Sequence, residues 1–243
     1  MSPLKQFEIF PLIRLPEFFG WDINFTNSSL YMVLTVVFAS LFLFAGVFRG
    51  KVIPGPMQSF VEIVCSFVLG IIKGSCGKAG SDYFPLILSV FLYVLFANLV
   101  GMLPLPMSFT VTSHIVVTLA LAMVVFIFVT LIGLKKQGMG FFAMFLPDGT
   151  PNWIAPLMIF LEVCTYLFRP ISLAIRLTAN MIAGHTILKV IAGFVYPTSL
   201  LISPLSFLFV VVLIVFEVFI AMLQAYIFVM LTCVYLNDSL FKH

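Results

Sequence analysis

Eight polar side chains fall inside two of the most apolar stretches of this chain: Glu162, Arg169, Arg176, Asn180, His185, Lys189, Glu217 and Gln224. A charge near the centre of a bilayer costs about 2.5–3.5 kcal/mol on insertion scales, so such residues are either near an edge or kept for a task. Lys189 and Arg169 fit the first explanation, with long stems that can carry the charge back to water. Arg176 does not, because apolar residues flank it on both sides. Neither does Glu217, near the middle of its own run. Glu162, Arg169 and Arg176 recur every seven residues and so share one helix face with slow drift. Asn180 follows one turn further along that face. Ser172, Ala179 and Ala183 keep the surroundings of Arg176 narrow, which lets another helix come close.

His185 lies nine residues beyond Arg176, about 13 Å along a helix axis and on roughly the opposite side. Glu217 and Gln224 are seven apart and share a face of the second run. In an antiparallel hairpin His185 can come level with Glu217, and Arg176 with Gln224. A carboxylate and an imidazole can each take up and release a proton near neutrality once their surroundings tune them. Asn180 and Gln224 can hold ordered water between such groups. Arginine cannot give up its proton, so Arg176 is a fixed positive charge that keeps a nearby carboxylate ionised and blocks direct proton passage. Glu162 has two readings, a proton-transfer carboxylate or a structural ion pair with Arg169.

The elements that must position these groups follow from composition. Of the 243 residues, 63% are hydrophobic and 9% charged, against about 45–50% apolar and about 25% charged in soluble domains. One core in a chain this size cannot hide that much apolar surface, so a bilayer is the expected solvent. The net charge of +3 is small and no basic patch with interleaved aromatics occurs, so nucleic acid is not an expected partner. Residues 1–28 hold Lys5, Glu8, Arg14, Glu17 and Asp22 and no long apolar run, so neither a secretory signal nor a transit peptide is read there. Cys65, Cys76, Cys164 and Cys233 form no CxxC pair and read as inert thiols.

A membrane span needs about 20 apolar residues. Five runs qualify: 29–48, 84–103, 113–134, 153–190 and 203–236. The mixed segment 57–72, with Gln58 and Glu62, reads as an amphipathic helix on the membrane surface. The expected fold is all-α and integral to the membrane, one membrane domain over 1–243 with 1–28 as an outer segment. Arg49, Lys51, Lys73, Lys78, Lys135, Lys136 and Lys242 fall on one side of these spans, while 104–112 and 191–203 carry no charge. The bias places the N-terminus outside and the C-terminus inside. A helix over 203–236 is about 50 Å long, against a hydrocarbon core of about 30 Å, and 153–190 is similar. The last two runs therefore read as a strongly tilted hairpin, turning near Pro197.

The stretches SLAIRLTANMIAGH (172–185) and FEVFIAMLQAYIFVMLTCVYLND (216–238) closely resemble subunit a of F-type ATP synthases, and FTNSS (25–29), FANLVGMLP (96–104) and FTVTSHI (109–115) fit the same family. The resemblance covers nearly the whole chain. It implies a non-catalytic, proton-carrying stator subunit with two offset aqueous half-channels beside a rotating ring of c subunits. It further implies a peripheral stalk and other membrane-sector subunits as partners. Arg176 matches the arginine that separates the half-channels. Asn180, His185, Glu217 and Gln224 match the inlet path, and Glu162 an acidic residue of the exit. The order His185 then Glu217 resembles mitochondrial members and the bacteria nearest to them, so the mitochondrial inner membrane is expected, with a bacterial plasma membrane as the alternative. The ring, not this chain, decides between protons and sodium. No cofactor, metal or nucleotide is expected: GSCGKAG (74–80) has Ala79 where a P-loop needs Ser or Thr, and its glycine spacing is wrong. A secondary transporter or channel subunit is the main rival, but the halves show no internal repeat. A haem-bearing subunit would need paired histidines in facing spans, which the chain's three histidines do not supply.

Overall fold

The computed structural model describes residues 9–13, 24–48, 50–102, 110–138, 141, 154–193 and 202–240. The expected turn near Pro197 and the charged residues of 1–8, 14–23 and 241–243 lie outside the described residues. A short antiparallel ladder joins β1 (Pro11–Ile13) to β2 (Phe25–Thr26), a feature the sequence reading lacked. Six long helices follow: α1 (Asn27–Val47), α2 (Pro56–Cys76), α3 (Phe84–Gly101), α4 (Ile115–Gln137), α5 (Ala155–Gly193) and α6 (Ile202–Leu240). The protein is all-α and integral to the membrane. Among the described residues, five helical segments are long and apolar enough to cross one, with α2 and α3 counted together.

Local chemistry sets the boundaries. Thr26 caps α1, its hydroxyl accepting from the Ser29 N–H at 3.4 Å. Pro56 opens α2, where a missing N–H costs nothing. α2 and α4 end at Gly77 and Gly138, with φ of 59° and 57°, a region that favours glycine. α5 and α6 contain 39 residues each, about 58 Å if straight. Both extend past the expected 153–190 and 203–236 at their C-terminal ends. α5 continues through Pro170.

The core lies among α2, α3, α4 and the C-terminal half of α6, with Ile72, Ile87, Leu92, Phe228, Val229 and Leu236 almost wholly buried. Segment 57–72 does form a helix, and that helix packs into the bundle instead of standing apart from it. Val68, Ile72 and Cys76 turn inward, and the Cys76 thiol donates to the Cys233 carbonyl at 3.0 Å. On the other side of α2, Met57, Phe60, Ile63 and Phe67 stay exposed. At the opposite end of α4 from His114, the Gln137 side chain donates to the Ser239 carbonyl at 2.9 Å. This fixes the end of the bundle where α4 and α6 finish and α5 begins. Lys135 and Lys136 mark it, and it is called the basic end below.

α1 and α2 approach closely at Gly46, where an added Cβ would stand 2.7 Å from the Val61 Cβ. Phe42 and Phe60 pack edge to face just beyond, ring centres 5.8 Å apart. Gly46→Val is expected to push α1 off α2 and cost about 1–3 kcal/mol. The thermal midpoint of the solubilised protein checks this, and an unchanged midpoint refutes the close approach.

Candidate functional site

The buried centre of the hairpin is an acid and an imidazole. His185 on α5 and Glu217 on α6 approach with Nδ1 and Oε1 3.6 Å apart, their side chains only 11% and 7% exposed. The approach depends on a neighbour without a side chain. A Cβ on Gly184 would lie 2.8 Å from Glu217 Oε1 and 3.2 Å from its Cδ. Gly184 therefore lets the carboxylate lie against the α5 backbone. The same contact fixes the stagger of the antiparallel pair and carries Arg176 to the level of Gln224 and Tyr226. Among the described residues, neither His185 Nε2 nor Glu217 Oε1 has a hydrogen-bond partner, though both atoms are buried. Buried polar atoms of this kind are normally served by ordered water. A cavity of about 160 Å³ adjoins them, lined by Asn180, Gly184 and Glu217 among apolar side chains. Gln224 is buried seven residues beyond Glu217.

α4 decides which face of α5 stays open. The hydroxyls of Thr118 and Thr178 lie 2.7 Å apart, and those of Thr130 and Tyr166 also 2.7 Å. These two hydroxyl pairs pin one face of α5 to α4. The other face carries Leu161, Phe168, Ile175 and Ile182 at intervals of seven, all exposed. Arg176 stands on that open apolar side, exposed, with no carboxylate within ion-pair distance among the described residues. It borders an open groove of about 400 Å³ towards the basic end, lined also by Arg169, Ser172 and Tyr235.

Arg169 is neither a snorkelling side chain nor the partner of Glu162. Its Nη1 lies 3.1 Å from Asp238 Oδ2, in the last turn of α6. The guanidinium sits over two rings, 4.8 Å from the centre of Tyr235 and 5.5 Å from that of Tyr166. Glu162 stands two turns into α5 at the basic end, half-buried and outside any ion pair among the described residues. The structure thus brings His185, Glu217, Asn180 and Arg176 onto one stretch of the hairpin and leaves Glu162 apart. Sequence reasoning assigned no role to Gly184 or Asp238, although both lie inside the stretches that carry the resemblance. An aspartate at the end of an apolar run reads as solvated until its partner is known, and a glycine's partner is visible only in space. Among the described residues no group of His, Cys, Asp and Glu is placed to hold a metal.

These features define a multi-pass helical membrane protein that keeps ionisable groups inside a long antiparallel hairpin. The family model for the ATP synthase A chain matches residues 29–237. The chain is similar to ATP synthase subunit a of Wolbachia sp. subsp. Drosophila simulans, 53% identical over 98% of each chain. It is similar to that of Ehrlichia canis at 50% identity, over 100% of this chain and 99% of the other, and to that of Anaplasma marginale at 50% over the whole of both. The chain belongs to the ATP synthase subunit a family and is a membrane-sector subunit.

Gly184→Ala forces the Glu217 carboxylate away from α5. A reacting group displaced by about 1 Å can lose up to about 100-fold in rate, and a loss of that order is expected in ATP-driven proton pumping by membrane vesicles. Unchanged pumping would show that the close approach of Glu217 to α5 is dispensable.

Proposed function

We propose that this chain conducts protons across the membrane through two offset half-channels beside a ring of small carboxylate-bearing subunits, and that this transfer drives rotation and ATP synthesis. The observation that carries the reading is the pair of cavities flanking Arg176. One adjoins Asn180 and Glu217, the other opens towards the basic end, and they share no lining residue. Between them stands Arg176, exposed on an apolar face and outside any ion pair among the described residues. Such a face suits a partner helix, since small residues at Ser172, Ala179 and Ala183 let it approach. A proton taken up by the Glu217–His185 pair passes by water, held by Asn180 and Gln224, to the partner's carboxylate. Arg176 attracts that carboxylate when ionised and blocks a proton short circuit, because it neither releases nor accepts a proton. The groove towards the basic end, with Glu162 above it, is the exit.

The clustering of Lys73, Lys78, Lys135 and Lys136 supports a basic end facing inward. Helices of about 58 Å exceed a hydrocarbon core of about 30 Å, which supports a steep inclination of α5 and α6. The relatives are bacterial. That supports a bacterial plasma membrane in place of the mitochondrial inner membrane expected from the order of His185 and Glu217. The chain binds no nucleotide in this reading; catalysis belongs to other subunits of the complex, joined through the peripheral stalk.

Arg176→Ala is expected to assemble and to lose proton-driven ATP synthesis by at least about 100-fold, the scale on which one preorganised electrostatic group matters. Near-normal synthesis by such membranes overturns the proposal. His185→Glu and Glu217→His are each expected to lower proton pumping by about 100-fold, the smaller end of what a positioned acid or base contributes. The double exchange keeps one acid and one imidazole and should recover part of the loss. A double variant no better than the worse single would reduce His185 to a structural residue.

A further inference from the structure

Two arginines of α5, Arg169 and Arg176, line the same groove. They are seven residues apart, about 10 Å along the helix. Their surroundings differ. Arg169 is paired with Asp238 at 3.1 Å and held over the rings of Tyr235 and Tyr166. Tyr166 is itself fixed by the Thr130 hydroxyl from α4. Arg176 has no such partner among the described residues. We propose that Asp238 silences Arg169, so that Arg176 is the single cation in this groove able to hold a passing carboxylate.

The inference rests on the proton-transfer reading above and adds a role for the inner end of the hairpin. A carboxylate that leaves Arg176 towards the basic end must release its hold and exchange its proton in the groove. An unpaired Arg169 would be a second stop on the same path. At about 10 Å and an effective dielectric of about 20, one unpaired charge shifts the balance between ionised and neutral carboxylate by roughly tenfold. The Arg169–Asp238 pair is nearly neutral at that distance, and the two rings fix the guanidinium without adding charge. Asp238 acts through Arg169 and need not itself carry a proton.

The test uses the whole ATP synthase in inverted membrane vesicles. The readouts are the amount of this chain retained in the complex and the proton-pumping turnover per assembled complex. Asp238→Asn should lower turnover per complex by about tenfold, the size of the Coulomb effect above. Arg169→Gln leaves Asp238 as an unpaired anion and should also slow turnover, by disfavouring the ionised carboxylate, and the double variant, which removes both charges, should regain normal turnover. A second pair of variants leaves the ion pair intact. Ser172 lines the groove between the two arginines, so Ser172→Lys should slow turnover well beyond Ser172→Met, which has similar length and no charge. A merely structural pair would change the amount of assembled complex and leave turnover per complex unchanged, which overturns the proposal. So does a double variant as slow as Asp238→Asn, which would mean that the carboxylate itself is needed, and so does equal turnover in the two Ser172 variants. Arg176→Ala in the same vesicles separates the two ideas. Normal turnover there removes the proton-transfer reading, whereas its loss beside a normal Asp238→Asn removes only the masking.

Discussion

An ionisable group inside an apolar bundle must be answered by a partner, by water or by a function, because hydrocarbon solvates none of it. The hairpin of α5 and α6 is organised around that constraint. Arg169 is answered by Asp238 and two aromatic faces. His185 and Glu217 answer each other across 3.6 Å, with buried atoms left over for water. Arg176, midway along the open face, has no answer within the described residues. An open apolar surface with an unanswered charge at its middle is half of an interface, and the other half belongs to a partner.

The rest of the bundle serves to hold that surface open. Hydroxyl pairs between α4 and α5, Thr118 with Thr178 and Thr130 with Tyr166, grip one side of α5. The inward faces of α2 and α3 support the C-terminal half of α6, through Val68, Ile72, Ile87 and Leu92 against Phe228 and Val229. Neither set of contacts reaches the stripe of Leu161, Phe168, Ile175 and Ile182. Interhelical hydroxyl bonds in membranes are worth about 1–2 kcal/mol at most in peptides and often less. Their contribution here lies in rotational register, since turning α5 by a quarter turn would bury Arg176.

Close backbone approaches set the finer geometry. Gly184 admits the Glu217 carboxylate to the surface of α5, and Gly46 admits Val61 to α1. In each case the missing Cβ matters more than backbone freedom, because both glycines are in helices. The stagger that follows from the Gly184 contact places the acid–imidazole pair about two and a half turns from Arg176, about 13 Å along α5. That distance is too long for direct transfer and short enough for a chain of a few waters.

Much of this was legible in the sequence, for physical reasons. Long apolar runs with few charges can be solvated only by a bilayer, so the all-α membrane fold and five spans follow from composition and length. Seven-residue spacing by itself places Glu162, Arg169 and Arg176 on one face, and the residues themselves carried the family. Three things depended on the fold. Segment 57–72 has an amphipathic pattern, and a pattern cannot say whether its apolar side meets lipid or α6. The pairing of Arg169 with Asp238, 69 residues apart, needed the antiparallel register, which local spacing does not contain; within α5 the nearest acid on the same face was Glu162. The stagger that joins His185 to Glu217 was set by the missing side chain of Gly184. The sequence determined which residues enter the membrane, because burial is decided by residue type. The tertiary structure decided which of them meet, because contact is a matter of helix register and of space left by small side chains.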